Sequence, residues 1–229
     1  MALVRTNVGH FESAGVQAGT TFTTGSFTPA NNSLLVVAAQ LQDATISTDT
    51  MTITDTASLS WTARVTTGVD PSFSAHKTVL YTAPVTTGSS MTVTVGTLAN
   101  GSAEFAVHVF TYTGYNTGTP IGATATGTST GGGAVTITLS ASPALSSEVL
   151  ASANADSTGG SSEITTGTGW TQQFHASDTA NLDAQTQTRT NSTSTTVTWN
   201  NIATSDVTAA MEIIAASSVP NVLMGQIML

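Results

Sequence analysis

Four histidines, thirteen carboxylates and three tryptophans are the side chains through which this chain could do chemistry. His10, His76, His108 and His175 are scattered, and none stands in an H-x-H, H-x-x-x-H or H-E-x-x-H spacing that puts two imidazoles on one metal. Cysteine is absent, which removes thiolate nucleophiles, disulfides and Cys-based zinc sites together. His108 alternates with Ala106 and Phe110, so it shares a strand face with Glu104 and Tyr112 and reads as a part-buried, hydrogen-bonded strand residue. A hydrolase would need His76 or His175 to meet a carboxylate and a hydroxyl in a cleft, and the hydroxyls are so numerous that none is singled out. Calcium would draw on Asp43, Asp49 and Asp55, or on Asn154 with Asp156, but the spacing is looser than a calcium loop requires. A carboxylate pair for glycoside hydrolysis is set in space and leaves no spacing to read. The expectation is a protein with no catalytic residue, no metal and no cofactor.

Trp61 and Trp170 occupy matching places in two halves of the chain. Exposed, they would be stacking platforms for a surface glycan; buried, each is the large residue around which its half packs. Packing is the expected role, and Trp199 stands where the first half has the inward Val95.

The elements that must position these residues come from a duplication. Pro29 to Ala39 reads against Pro143 to Ala153 at an offset of 114. Leu59-Ser60-Trp61-Thr62 reads against Thr168-Gly169-Trp170-Thr171, Met91 to Val95 against Thr195 to Trp199, and Phe105 to Phe110 against Ala209 to Ile214, the last two at 104. Short alternating or apolar runs between Gly, Asn, Ser and Pro signals predict strands throughout and no helix. The predicted fold is an all-β antiparallel sandwich, jelly-roll or Ig-like, built from two similar halves. The expected organisation is a lead-in at 1–19, a first half at 20–113, a Gly/Thr-rich connection at 114–133, a second half at 134–216 and an apolar tail at 217–229.

Charged residues make up only 7% of the chain, so Thr, Ser, Asn, Gln and Gly must cover the surface. A net charge of −9 with four scattered cations excludes a phosphate track and disfavours anionic membranes, so neither nucleic acid nor membrane is an expected partner. The start, Met1-Ala2-Leu3-Val4-Arg5-Thr6, shows no apolar export signal. The tail has no counterpart in the first half, and Val222, Leu223, Met224, Ile227, Met228 and Leu229 are its candidate docking residues.

Phe27-Thr28-Pro29 leading into Leu34-Leu35-Val36-Val37, Thr54-Asp55 before Leu59-Ser60-Trp61-Thr62, and Leu80-Tyr81-Thr82-Ala83-Pro84 ahead of Met91 to Val95 set the style of the chain. Over about residues 20–216 it resembles the Thr/Ser/Gly-rich β-sandwich structural proteins of tailed bacteriophages. The resemblance implies a virion protein made in the host cytoplasm without a secretion signal and working outside the cell. Its implied role is capsid decoration or minor capsid protein, held by contacts with copies of itself, with a major capsid protein or with other virion subunits. A tail or fibre protein, or a carbohydrate-binding adhesin module, is the alternative.

Overall fold

The computed structural model describes residues 2–13, 20–43, 50–72, 75–97, 103–130, 132–156, 164–177, 182–202 and 204–217. All regular structure among them is β. The first half carries β1 (Val4–Glu12), β2 (Thr21–Thr23), β3 (Ser33–Gln42), β4 (Met51–Asp55), β5 (Thr62–Thr66), β6 (His76–Val85), β7 (Val93–Thr97) and β8 (Glu104–Thr113). The second carries β9 (Ile121–Ser129), β10 (Gly133–Thr138), β11 (Glu148–Asp156), β12 (Thr165–Thr166), β13 (Thr171–Ser177), β14 (Leu182–Thr190), β15 (Thr196–Ile202) and β16 (Asp206–Ile213).

Both halves are wired alike. A five-stranded sheet β1-β8-β3-β6-β5 faces a three-stranded sheet β2-β7-β4, and the second half repeats this as β9-β16-β11-β14-β13 over β10-β15-β12. The pairs β1·β8, β2·β7 and β3·β6 are nested, as when one long hairpin is wrapped on itself, which is jelly-roll wiring. The fourth nested pair is missing, because β5 joins β6 in the larger sheet. Gly114, at a φ of 70°, turns the chain out of the first half; a Cβ there would lie 2.1 Å from the Ala2 carbonyl oxygen.

The two five-stranded sheets then stack, giving four layers and three cores. Leu35, Val37, Val95, Phe105 and Val107 fill the first sandwich, and Val149, Ala151, Val197 and Trp199 the second. Between them lies a seam of Leu34, Val36, Leu80, Phe110, Tyr112, Leu150, Met211 and Ile213. The run Leu34 to Leu41 is apolar at nearly every position because β3 is buried on both faces, its odd residues in the sandwich and its even ones toward the seam.

Across the seam β1 lies over β13, β8 over β14, β3 over β11, β6 over β16 and β5 over β9. Exchanging the halves leaves this set unchanged, so they are related by a local two-fold axis that runs along the strands between β3 and β11, as in an isologous dimer. Gln40 and Asn154 are repeat mates at the offset of 114 and sit on that axis. The Gln40 amide donates to the Ala153 carbonyl at 2.9 Å and the Asn154 amide donates to the Leu41 carbonyl at 2.9 Å. Each half thus locks its own amide onto the other's backbone.

Several expectations are corrected. The lead-in and the connection each contain a strand, β1 and β9, both edge strands with one partner; a half-exposed edge shows little alternation. In β5 a bulge at Arg64 turns Val65 to the seam while Trp61 packs on the first core. The repeat offset for β8 and β16 is 101, because β3 pairs Leu34 with Tyr112 where β11 pairs Glu148 with Ile213. An offset of 104 has the wrong parity and would exchange the two faces.

Candidate functional site

One ion pair crosses the seam at the end where β3 and β11 begin. Rows of paired residues place Arg5, Tyr112, Leu34 and Pro84 side by side in one sheet, and Ile121, Ile213, Glu148 and Thr190 in the other. Across the seam Glu148 Oε1 accepts from Arg5 Nε at 2.8 Å and from the Tyr112 hydroxyl at 2.7 Å. Arg5 also donates to Asn7 Oδ1 and, at 3.5 Å, to Thr188 Oγ1. Burial raises the Glu148 pKa, opposed by the Tyr112 hydrogen bond and by Arg5. Burial, with the adjacent Glu148 charge, pushes the Tyr112 phenol well above its ordinary value, so it stays a donor.

On the opposite side of the local axis, in the same two rows, the equivalents of Arg5, Tyr112 and Glu148 are Ile121, Ile213 and Leu34, all in the apolar seam cluster. The fold therefore needs no charge at these positions. The sequence reading missed the three polar residues. The signal available to it was Glu148 standing where its repeat mate is Leu34.

Above this cluster opens a groove of about 840 Å³, walled by Ala2, Leu3 and Arg5, by Ala144 with Ser146 to Glu148, by Thr190 and Asn191, and by Ile214 to Ser217. A smaller recess of about 190 Å³ continues past Arg5 and Glu148 to Gln173 and Arg189. Ser147 Oγ is buried in the groove wall with no hydrogen-bond partner. Arg5, Tyr112 and Glu148 are bonded to one another across the seam.

Elsewhere His76 and His175 each meet an acid, one of the pairings that a hydrolase would need. His76 Nδ1 lies 3.1 Å from Asp70 Oδ1, which also accepts from the amides of Ala75 and His76, and both side chains are buried. His175 Nε2 lies 2.6 Å from Asp183 Oδ1, whose other oxygen accepts from the Ile164 amide. His108 is fully buried, with Nδ1 at 2.7 Å from Thr186 Oγ1, and its ring packs against His10 and Phe174. Burial, then the charges of His10 and His175, hold it well below the ordinary imidazole range.

None of these pairs lines the groove. Among the described residues no three His, Asp or Glu groups stand together as a metal site. Asp55 caps its own turn instead, accepting from the amides of Ala57 and Leu59 and, at 2.7 Å, from the Trp61 indole. Asp49 lies outside the described residues. Trp170 is buried under the Arg189 guanidinium, 4.4 Å from its ring, so neither repeat-related tryptophan is a free stacking platform. Trp199 is fully buried in the second core.

The tail residues Val222, Leu223, Met224, Ile227, Met228 and Leu229 lie outside the described residues. The described chain ends at Ser217, in the groove wall. Comparison of the chain with protein-family models, with curated proteins and with solved structures returned no match.

Proposed function

We propose that this chain is a structural subunit of a virion shell, acting through contacts with copies of itself or with other shell proteins and catalysing nothing. The observation that carries the reading is the stacking of two jelly-roll sandwiches, seam to seam, in one chain. Jelly rolls recur in capsid proteins, and the argument from that is one of fold analogy. Physical features point the same way. Three cores and a doubly buried pair of central sheets make a rigid plate rather than a hinged enzyme. Its outermost sheets present rows of small hydroxyls, Thr21, Thr23 and Thr54 on one side and Thr136, Thr138 and Thr196 on the other. Such flat, uncharged faces suit close lateral packing against a neighbour.

Co-sedimentation tests the reading. Particles from lysed cultures of the source host are banded by density and labelled with gold-conjugated antibody to the chain. The expected result is a fixed stoichiometry in the particle band with label on the shell. Label on tails or fibres would move the protein to the tail. A chain found only in the soluble fraction, with no labelled particle, would falsify the proposal.

A further inference from the structure

The ion pair that crosses the seam is one the fold does without. On the opposite side of the local axis Ile121, Ile213 and Leu34 fill the corresponding space with apolar side chains. A desolvated charge pair seldom stabilises more than such a filling does, so Arg5, Tyr112 and Glu148 call for a reason other than folding.

Their surroundings supply one. Arg5 and Glu148 line both the groove and the recess, and their side chains are 18% and 7% exposed. The Arg5 and Tyr112 hydrogen bonds both fall on Glu148 Oε1, which leaves Oε2 as an acceptor. Short polar side chains surround the pair, with Ser146, Thr190 and Asn191 on the groove and Thr171 and Gln173 on the recess. Ser146, Thr171, Thr190 and Asn191 are exposed, and their hydroxyl and amide groups are bonded to no other described residue. Leu3, Ile214 and Ala216 give the same groove apolar stretches. At about 840 Å³ its size is that of a ligand site, for which about 300–1,000 Å³ is usual.

The chemistry of the lining selects the ligand. A guanidinium donor beside a carboxylate acceptor, held rigid by their own bond, matches adjacent hydroxyls that each donate and accept. Pyranose rings combine such hydroxyls with apolar C–H faces. Arg5 and Glu148 cancel in charge, and the net charge of −9 weighs further against an anion. The other charged residue of the recess, Arg189, commits its guanidinium to the Trp170 ring and to the Ser194 and Thr196 carbonyls.

We propose that the Arg5–Glu148 pair is the floor of a binding site for a neutral oligosaccharide. Ring hydroxyls bond Arg5 and Glu148, and further sugar units run along the groove past Thr190 and Asn191. The inference does not rest on the virion reading.

Saturation-transfer NMR on the full chain tests it. The probes are oligosaccharides of α-1,4-glucose, β-1,4-glucose, N-acetylglucosamine and galactose, with oligogalacturonate as the acidic counterpart, all at millimolar concentration. At least one neutral series should bind, and oligogalacturonate should not. The triple variant Arg5→Ile, Tyr112→Ile, Glu148→Leu should weaken that binding by on the order of tenfold or more. Thr190→Trp, at an exposed residue shared by groove and recess, should do the same with an unchanged melting temperature, so the result does not hinge on how the triple variant folds. Thr66→Trp, exposed on the edge strand β5, should bind as the parent does. The proposal fails if no neutral oligosaccharide binds, or if oligogalacturonate binds as well as the neutral ones. It fails equally if binding survives Thr190→Trp or a folded triple variant, because the sugar then sits elsewhere.

Discussion

Asp206 shows how one buried carboxyl shapes the pH response. It is fully buried on β16, bonded to the Ser129 hydroxyl, and its second oxygen has no partner. Burial raises its pKa from 3.8 to about 6, and the nearby Asp70 adds to the effect. The folded state therefore holds the proton longer than the unfolded state does. Its contribution is present below about pH 4 and is lost as pH rises through 6. Asp206→Asn keeps a partner for Ser129 and cannot ionise. Relative to the parent it should gain nothing attributable to ionisation at pH 4 and up to about 3 kcal/mol at pH 8, read from urea unfolding at both values. A pH-independent difference would show that Asp206 ionises freely in the folded protein. His108 works with the opposite sign: its depressed folded pKa gives a contribution present above the unfolded value of 6.5 and lost as pH falls below it.

At the scale of strands, the duplication supplies an internal control for the Arg5–Tyr112–Glu148 cluster. Its counterpart Ile121–Ile213–Leu34 shows that the same backbone accepts apolar residues there. Glu148→Ala strands the Tyr112 hydroxyl and a mostly buried guanidinium and should cost about 3 kcal/mol in denaturant unfolding. The triple change Arg5→Ile, Tyr112→Ile, Glu148→Leu copies the opposite side of the axis and should cost less than that single change, or nothing. A triple variant clearly less stable than Glu148→Ala would mean that the two sides are not interchangeable. The duplication also marks how far local sequence reaches. Glu148 against Leu34 is visible as a charge opposite an apolar repeat mate, whereas its partners Arg5 and Tyr112 come from strands 143 and 36 residues away. Spacing carries no trace of contacts closed over such distances.

For the whole molecule, the seam makes the two sandwiches interdependent. Each half leaves a broad apolar sheet face that only the other covers, and Gln40 and Asn154 each take their acceptor from the opposite half. Unfolding should therefore be one calorimetric transition with equal van 't Hoff and calorimetric enthalpies. Two resolved transitions would show halves that stand alone. Much of this architecture was determined by sequence: the all-β class, the duplication, the strands β3, β6, β11 and β14, and the inward place of Trp199. Those arise from local alternation, β-branching and Gly or Pro punctuation, which act within a few residues. The apolar run Leu34 to Ala39 is long enough to indicate a strand buried on both faces, which a further layer must cover. Only the tertiary structure decided the edge strands β1 and β9, the 101-residue offset of β16, the local two-fold axis and the groove beside Ser217. An edge strand needs a single partner and so little pattern. Register flips with any odd slip, and a groove exists only where segments far apart in the chain fail to close on one another.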